Sequence, residues 1–518
     1  LLEPRIFVNI ASYRDTECQW TIKSLFEKAK FPDRVFVGIC WQFIADEDAD
    51  CFTFETRPEQ CRVIKVDARD SLGACWARSK VQTLWQGEEY TLQIDSHMRF
   101  VQDWDEILLA MLKECPSERS VLSTYPPTYV PPDTLGEENI AIMFASEFDQ
   151  QGILKLHSRA LSMKDAPASP AINPFCAAGL LFSSSAIIKE VPYDPYLYFL
   201  GEEITLAVRL WTSGWDIYTP NKVVVYHDYT QRPGRRRHWN DNKDWNLIND
   251  VAIKRIHHLL EMEEINDAEA LKEVDRYGLG RKRTLAQYQD FSKVDFRRRL
   301  IDGKTTEEIE MAAPPAVRRK KNSEVFTKNY ASNGWGAEET RCGDGSTMKK
   351  TETIRAELPK LFSFLGIRSL IDAGCGDLNW MRHISQGLNL YLGYDIIEPQ
   401  IEEARKLVAD RPNHLFALAD ISLDTLPQAD AILCRDVLTH LPHWMAKEAL
   451  ARFKASRSAH LIATTFQNGK NDRVFVGGWQ PVDLTVPPFF LPPPFMTISE
   501  GLAGTSKSLG VWRLEDLP

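Results

Sequence analysis

Tyr90–Val101 reads YTLQIDSHMRFV, an apolar strand that runs straight into an acid and an imidazole. Tyr90, Leu92 and Ile94 alternate as a half-buried strand does, and at its end Asp95 and His97, two positions apart, project to the same side of the chain. A carboxylate oxygen and a neutral imidazole nitrogen together suit a divalent cation such as Mn2+, or Mg2+, that also takes phosphate oxygens. A nucleoside diphosphate is then the natural third party. An aspartate ending a strand also serves as a turn former or helix cap, so this D-x-H triplet acquires meaning only from its neighbours.

Upstream, strands and helices alternate from Arg5: RIFVNIAS, an amphipathic stretch Cys18–Lys30, RVFVGICW, CRVIKVDA, and a helix from Ser71 to Trp85. This is the α/β pattern of a parallel sheet, whose ligands sit beyond the carboxyl ends of the strands. Ser12, Tyr13, Arg14 and Asp15 fall there, to hold a uridine and its ribose or to cap the next helix. In DSLGACWAR, Gly73 opens a helix that presents Arg78. Free backbone N–H groups and a guanidinium at a helix start suit a diphosphate.

Downstream, the region from Pro127 to about Pro170 is proline-rich and reads as strand-poor, a lid or acceptor loop. Asn173–Ser183 (NPFCAAGLLFS) reads as a buried strand. Glu202 and Glu203 then stand at a helix start, either as charge for the helix dipole or as a carboxylate at an acceptor hydroxyl. VVVYHDY ends a strand on His227, a candidate third metal ligand. From Gln231 to Arg299 the chain turns charged and helical, and Arg235, Arg236, Arg237 and His238 form either a solvated face or a lid over phosphates.

With 518 residues, two or more domains are expected. Hydrophobic content of 44% and charged content of 26% fit soluble globular domains, and no apolar run is long enough to span a bilayer. Ten cysteines without C-x-x-C pairs argue for reduced thiols and a cytoplasmic location, with at most a peripheral membrane contact. A net charge of −10 argues against a nucleic-acid partner. No leader is visible from Leu1 onward.

Residues 303–322, polar and broken by Pro314 and Pro315, read as a flexible linker between a domain at 1–302 and another at 323–518. In the second, SLIDAGCGDLNW (Ser369–Trp380) is a strand, Asp372, and a turn with Gly374 and Gly376 opening a helix. Glycines there let the backbone approach a ligand too closely for a Cβ. A second strand ends on Asp395, placed for ribose hydroxyls, a third on Asp420, placed for an adenine amino group, and a fourth runs into Arg435, Asp436 and His440. Strand ends each carrying an acid beside a glycine turn resemble a class I S-adenosylmethionine-dependent methyltransferase with a Rossmann-like fold. O-methylation needs a base, and Asp436 and His440 are the candidates.

The first half also resembles a family. IFVNIASYRD (Ile6–Asp15), WTIKSLFEKAKFPDRVFVGICW (Trp20–Trp41), the DSH triplet, the GEE helix, His227, YGLGRKR (Tyr277–Arg283) and FSKVDF (Phe291–Phe296) are similar to the N-acetylglucosaminyltransferases that modify hydroxyproline in a cytoplasmic protein and to their bacterial relatives. They are more distantly similar to polypeptide N-acetylgalactosaminyltransferases. The resemblance implies a GT-A fold, a UDP-GlcNAc donor, Mn2+ and retention of configuration. It makes Asp95, His97 and His227 metal ligands, Arg78 a diphosphate contact, and Glu202 or Glu203 an acceptor-side carboxylate. The second half resembles small bacterial methyltransferases through NGWGAEETRCGDGST (Asn333–Thr347), CRDVLTHL (Cys434–Leu441), GGWQPVDLTVPP (Gly477–Pro488) and KSLGVWRL (Lys507–Leu514). That resemblance implies that Asp372, Gly374, Gly376, Asp395 and Asp420 hold the methyl donor, with Trp335 and Gly336 closing over it. The expected protein is bifunctional, a glycosyltransferase and a methyltransferase working on a bacterial surface polysaccharide. The alternatives are a protein hydroxyl acceptor, or a nucleic-acid methyltransferase with an amino-terminal binding module.

Overall fold

The central strands of the first half are apolar on both faces because helices cover both. Chain order there is β1 (Ile6–Tyr13), α1 (Cys18–Lys28), β2 (Val35–Phe43), β3 (Cys61–Asp67), α2 (Ala74–Gln82) and β4 (Tyr90–Asp95). β1 pairs in parallel with β2 and β4, and β2 with β3. Ile6, Val8 and Ile10 of β1 pack with Ile22, Leu25 and Phe26 of α1, while Phe7 packs on the opposite face with Cys75, Ala77 and Val81 of α2. Burial on both faces removes the polar alternation of a one-sided sheet. The computed structural model describes residues 4–51, 55–230, 235–467, 470–471, 474–500 and 506–518, and the chain divides into units at 1–311 and 312–518.

Beyond β4 the eight-stranded sheet of the first unit continues through Leu180–Ser184, Ser120–Ser123, Asp216–Thr219 and Ala171–Ile172. Leu180–Ser184 runs antiparallel to β4, so the tight turn before it, at Gly179, lies against the end of β4. A Cβ on Gly179 would stand 2.8 Å from Asp95 Oδ2, so only glycine fits.

The region expected to be strand-poor carries a long antiparallel hairpin, Asn139–Phe148 against Leu154–Ser162. Its second strand hides from a pattern reading because the apolar/polar alternation of Leu154–His157 is short and gives way to Ser158 and Arg159, whereas backbone pairing proceeds whatever the side chains.

In the second unit the sheet order is His414–Leu418, Leu390–Asp395, Ser369–Ala373, Ala431–Cys434, His460–Phe466, Lys507–Arg513, Met496–Ser499. The first five strands are parallel and Lys507–Arg513 is antiparallel to both its neighbours. Strand order reverses beside Ser369–Ala373, which opens a crevice at the carboxyl ends of that strand and Ala431–Cys434.

The flexible linker expected at 303–322 is corrected: Thr306–Ala312 and Pro315–Ala331 are helices. Pro315 occupies the first turn, where a missing N–H costs nothing. Arg318 pairs with Glu448, Arg319 with Asp424, and Asn322 Nδ2 donates to Asp420 Oδ2 at 2.8 Å. Those long-range partners turn a polar, low-periodicity stretch into an ordered helix of the second unit. Among the described residues no helix is long and apolar enough to cross a membrane, and all ten cysteines are free.

Candidate active sites

In the first unit, the strand Val225–His227 pairs antiparallel with Met98–Phe100, setting His227 opposite Met98. This pairing carries an imidazole from far along the chain to the end of β4. Ligand atoms of Asp95, His97 and His227 all lie within 4.8 Å of one another, with His227 Nε2 3.1 Å from Asp95 Oδ2. His97 Nδ1 lies 2.6 Å from Asp15 Oδ2. A carboxylate only accepts, so Nδ1 carries the proton and Nε2 keeps its lone pair, the tautomer a metal needs. That lone pair accepts from Arg235 Nη2 at 2.7 Å, a cationic group on the atom that would bind a cation. His227 Nδ1 is buried without a hydrogen-bond partner, and burial lowers the pKa of this ring, keeping it neutral. One carboxylate and two neutral imidazoles fit a borderline divalent ion.

The carboxylates beside this cluster divide into two kinds. Burial alone would raise the pKa of Asp95, but the hydrogen bond from His227 and the charge of Arg78 hold it well below the usual carboxylate range. Arg78, itself buried, donates to Asp95 Oδ1 at 2.6 Å and sets its Nε 3.1 Å from Glu202 Oε1. Glu202 is buried and also accepts from the Tyr193 hydroxyl. Glu203 accepts from Tyr125 Oη at 2.5 Å and from the Ala178 N–H at 2.9 Å. Burial pushes its pKa up to about 7. A carboxyl poised near neutrality is suited to proton exchange with a hydroxyl. Arg78, Asp95, His97, Glu202, Glu203 and His227 line one cavity of about 940 Å³.

The second unit's cavity, about 140 Å³, opens at the strand-order reversal and is lined by Asp372, Gly374, Gly376, Asp395, Asp420, Trp335, Asp436 and His440. Gly374 takes φ +93°, and a Cβ there would stand 2.2 Å from a Val437 methyl. The Gly376 N–H donates to Asp395 Oδ2 at 3.0 Å, which ties the glycine turn to the second strand end. Burial raises Asp372 to about 7 and Asp395 to about 6; Tyr391 donates to Asp372 Oδ2 at 2.5 Å. His440 Nδ1 lies 2.5 Å from the Gly478 carbonyl, so Nδ1 carries the proton and Nε2 is the basic atom. Burial lowers this imidazole's pKa, so it is neutral at pH 7. Asp436 accepts from Lys507 Nζ at 2.6 Å and has Arg435 Nη1 at 3.3 Å. Burial opposes its ionisation, but those two cations hold it below the ordinary range.

A family model for the glycosyltransferase (GlcNAc) family matches residues 5–57 and 53–298. The chain belongs to this family. A second model, for a methyltransferase domain, matches residues 371–455 of the same GlcNAc glycosyltransferase chain. Among solved structures, GalNAc-T7 with UDP, GalNAc and Mn2+ is 13% identical, with TM-score 0.39, covering 55% of this chain and 56% of that one. Magnesium protoporphyrin IX methyltransferase from Synechocystis PCC 6803 with bound SAM is 18% identical, with TM-score 0.28, over 39% of this chain and 98% of that one. The methyltransferase domain of bacterial CtHen1-C is 16% identical, with TM-score 0.21, over 23% of this chain and 66% of that one. No curated protein matches.

Several expected site residues of the glycosyltransferase stand otherwise than the sequence implied. Ser12 is buried on the α1 side of β1, its carbonyl accepting from Gln42 Nε2 at 3.2 Å, and its side chain does not reach the cavity. The two-residue period of the strand decides this, since Ile6, Val8 and Ile10 share that face. Tyr13 and Arg14 do line the cavity. Tyr13 donates to Asp241 at 3.0 Å, and Arg14 is bound to Asp48, Glu47 and Asp241. Arg78 is committed to two carboxylates, so its charge serves Asp95 and Glu202 before any diphosphate. Gly336 is exposed and outside the second cavity's wall, while Trp335 lines it 5.9 Å from the His440 ring.

The basic run turns inward: Arg235 onto His97, Arg236 to Asp48 and Asp50, and Arg237 over Trp239 at 5.4 Å. His238 bridges Tyr198 at 2.8 Å and the Ser71 carbonyl at 2.7 Å. Residues 231–234, where the charged extension begins, lie outside the described residues. Sequence reasoning missed Asp15 as the partner of His97, Tyr125 as the partner of Glu203, and residues 154–157 of the hairpin as cavity wall. Only Asp15, in YRD directly after β1, carried a readable signal.

Proposed function

We propose that the first unit transfers N-acetylglucosamine from UDP-GlcNAc to an acceptor hydroxyl, and that the second methylates a sugar hydroxyl of the same glycan with S-adenosylmethionine. The observation that carries the first half is the convergence of Asp95, His97 and His227 in one cavity with Glu203. A divalent cation held by those three, Mn2+ or Mg2+, supplies positive charge for the leaving diphosphate. Asp15 fixes the His97 tautomer, and Arg78 holds the Asp95 carboxylate in place and ionised. In the transfer, the acceptor oxygen bonds to the anomeric carbon and the carbon–oxygen bond to the diphosphate breaks, its electron pair leaving on UDP. The hydroxyl proton passes to Glu203. The family resemblance supports retention of configuration.

In the second unit, Asp395 accepts ribose hydroxyls and His440 Nε2 takes the acceptor hydroxyl proton as its oxygen attacks the methyl carbon and the sulfonium leaves as thioether. A GlcNAc glycosyltransferase domain and a methyltransferase domain on one chain support a role in building or capping a surface polysaccharide. Four arginines of the two basic runs are engaged within their own units, Arg235 by His97, Arg236 by Asp48, Arg318 by Glu448 and Arg319 by Asp424. This weighs against phosphate-backbone binding and the nucleic-acid reading.

The test offers glycan and peptide acceptors with labelled UDP-GlcNAc and labelled methyl donor to wild type, Asp95→Ala and Asp372→Ala, with product mass spectrometry. Sugar transfer lost only in Asp95→Ala, and methyl transfer to the glycan lost only in Asp372→Ala, is expected. Full sugar transfer by Asp95→Ala in chelator, or methylation of nucleic acid alone, refutes the reading.

A further inference from the structure

Three large aromatic side chains stand exposed at the mouth of the glycosyltransferase cavity. Phe199 is 51% exposed, Tyr229 45% and Trp239 37%, and all three line the cavity. Aromatic surface left in water beside a polar cavity marks a place where a ligand completes the packing.

Their placement relates them to the reacting groups. Tyr229 packs its ring 4.1 Å from that of His227 and donates to the Pro126 carbonyl at 2.9 Å, which fixes its orientation. Pro126 follows Tyr125, the hydrogen-bond partner of Glu203. Tyr229 therefore lies between the metal-ligand cluster and the carboxyl that faces an acceptor. Phe199 precedes the same helix start that carries Glu203, and its ring sits 5.9 Å from Trp239 at 57°, an aromatic corner farther out.

We propose that this mouth is an acceptor subsite for pyranose rings, with Tyr229 as the inner platform and the Phe199–Trp239 corner as the outer one. The inference rests on the glycosyltransferase reading of the same cavity and names its acceptor class. A pyranose has an apolar C–H face and a rim of hydroxyls. The face lies on the electron-rich aromatic surface, while the polar groups of Lys155, His157 and Glu203 line the same cavity beside the rim. A peptide adding as an extra strand would need an unbroken strand edge to pair with. The edge that reaches this cavity, Leu154–Ser162, has a register shift between Lys155 and Leu156, at the cavity wall, where a bulge twists the strand.

The experiment titrates the full chain, with UDP and Mn2+ present, against chitobiose, lactose and maltose and against a serine- and threonine-containing peptide. Calorimetry reads affinity, and saturation-transfer NMR reads which sugar protons touch the protein. The expected result is disaccharide binding with saturation of the ring C–H face. Affinity should weaken by about tenfold for each ring of the outer platform removed in Phe199→Ser and Trp239→Ser and recover in Trp239→Phe. Both substitutions lie at exposed positions, and far-UV circular dichroism checks the fold. Saccharide binding unchanged in the double variant, peptide binding that the double variant abolishes, or no saccharide binding at all overturns the proposal. A separate UDP-GlcNAc titration of the wild type tells the two readings apart. Donor binding without saccharide binding rejects the acceptor subsite alone, and absent donor binding rejects the reading beneath it.

Discussion

Asp15→Asn should cost the first unit most of its metal affinity while leaving its fold intact. The Asp15 carboxylate accepts from His97 Nδ1 at 2.6 Å, from Ser96 Oγ at 2.5 Å and from the Glu17 N–H at 2.9 Å. The amide keeps one oxygen, which satisfies the Glu17 turn, and presents an NH2 to the imidazole. An N–H facing an N–H is repulsive, so Nδ1 loses the acceptor that holds its proton there and the Nε2 lone pair that would bind the ion is no longer fixed. Loss of such an outer partner lowers metal affinity by about 10- to 100-fold, or roughly 1.4–2.7 kcal/mol. Calorimetric Mn2+ titration of wild type, Asp15→Asn and Asp95→Ala measures this, with circular dichroism as the fold control. A folded Asp15→Asn that binds Mn2+ within twofold of wild type, while Asp95→Ala does not bind, would refute the tautomer argument.

In the methyltransferase unit, His440→Gln should lower the methyl-transfer rate by about 10²- to 10⁴-fold with little change in donor binding, since it removes the imidazole nitrogen proposed as the base. Asp436→Asn should act on stability first: it leaves Arg435 and Lys507 sharing Glu500 as their one carboxylate, a loss of roughly 1–3 kcal/mol, and denaturant unfolding separates the two effects. Asp372 and Asp395 have folded pKa values of about 7 and about 6, above the roughly 3.9 of an unfolded aspartate. Between these values the native state holds more protons than the unfolded one, so the stability present below pH about 4 is lost as pH rises through 6 and 7. Thermal unfolding without ligand should show that decline, flattened in Asp372→Asn and Asp395→Asn. An equal slope in the variants contradicts it.

The α/β alternation, the strand ending in D-x-H and the glycine turn with acids at successive strand ends were legible because they are local. Each depends on a two- or four-residue period or on backbone freedom that specific residue types supply. The hairpin at 139–162 was not, because the alternation in its second strand stops after His157 and the strand is held by pairing with its partner. The helix Pro315–Ala331 was misread as a linker for a similar reason, since its order comes from Glu448, Asp424 and Asp420, about a hundred or more residues away.

Within the sites, the residue types named the chemistry and the tertiary structure assigned the duties. Glu202 and Glu203 are adjacent in sequence and equivalent on paper. Burial raises the pKa of both, but one is opposed by the charge of Arg78, and the other, bonded to a tyrosine and an N–H, is carried up to about 7. Asp436 and His440 divide the same way: Lys507 and Arg435 neutralise the acid, and the Gly478 carbonyl fixes the tautomer of the base. A sequence states which groups ionise. Which of them stays ionised, neutral or unpaired depends on burial and on the charge that the fold sets a few ångströms away, because Coulomb energies and desolvation vary with distance and surroundings rather than with separation along the chain.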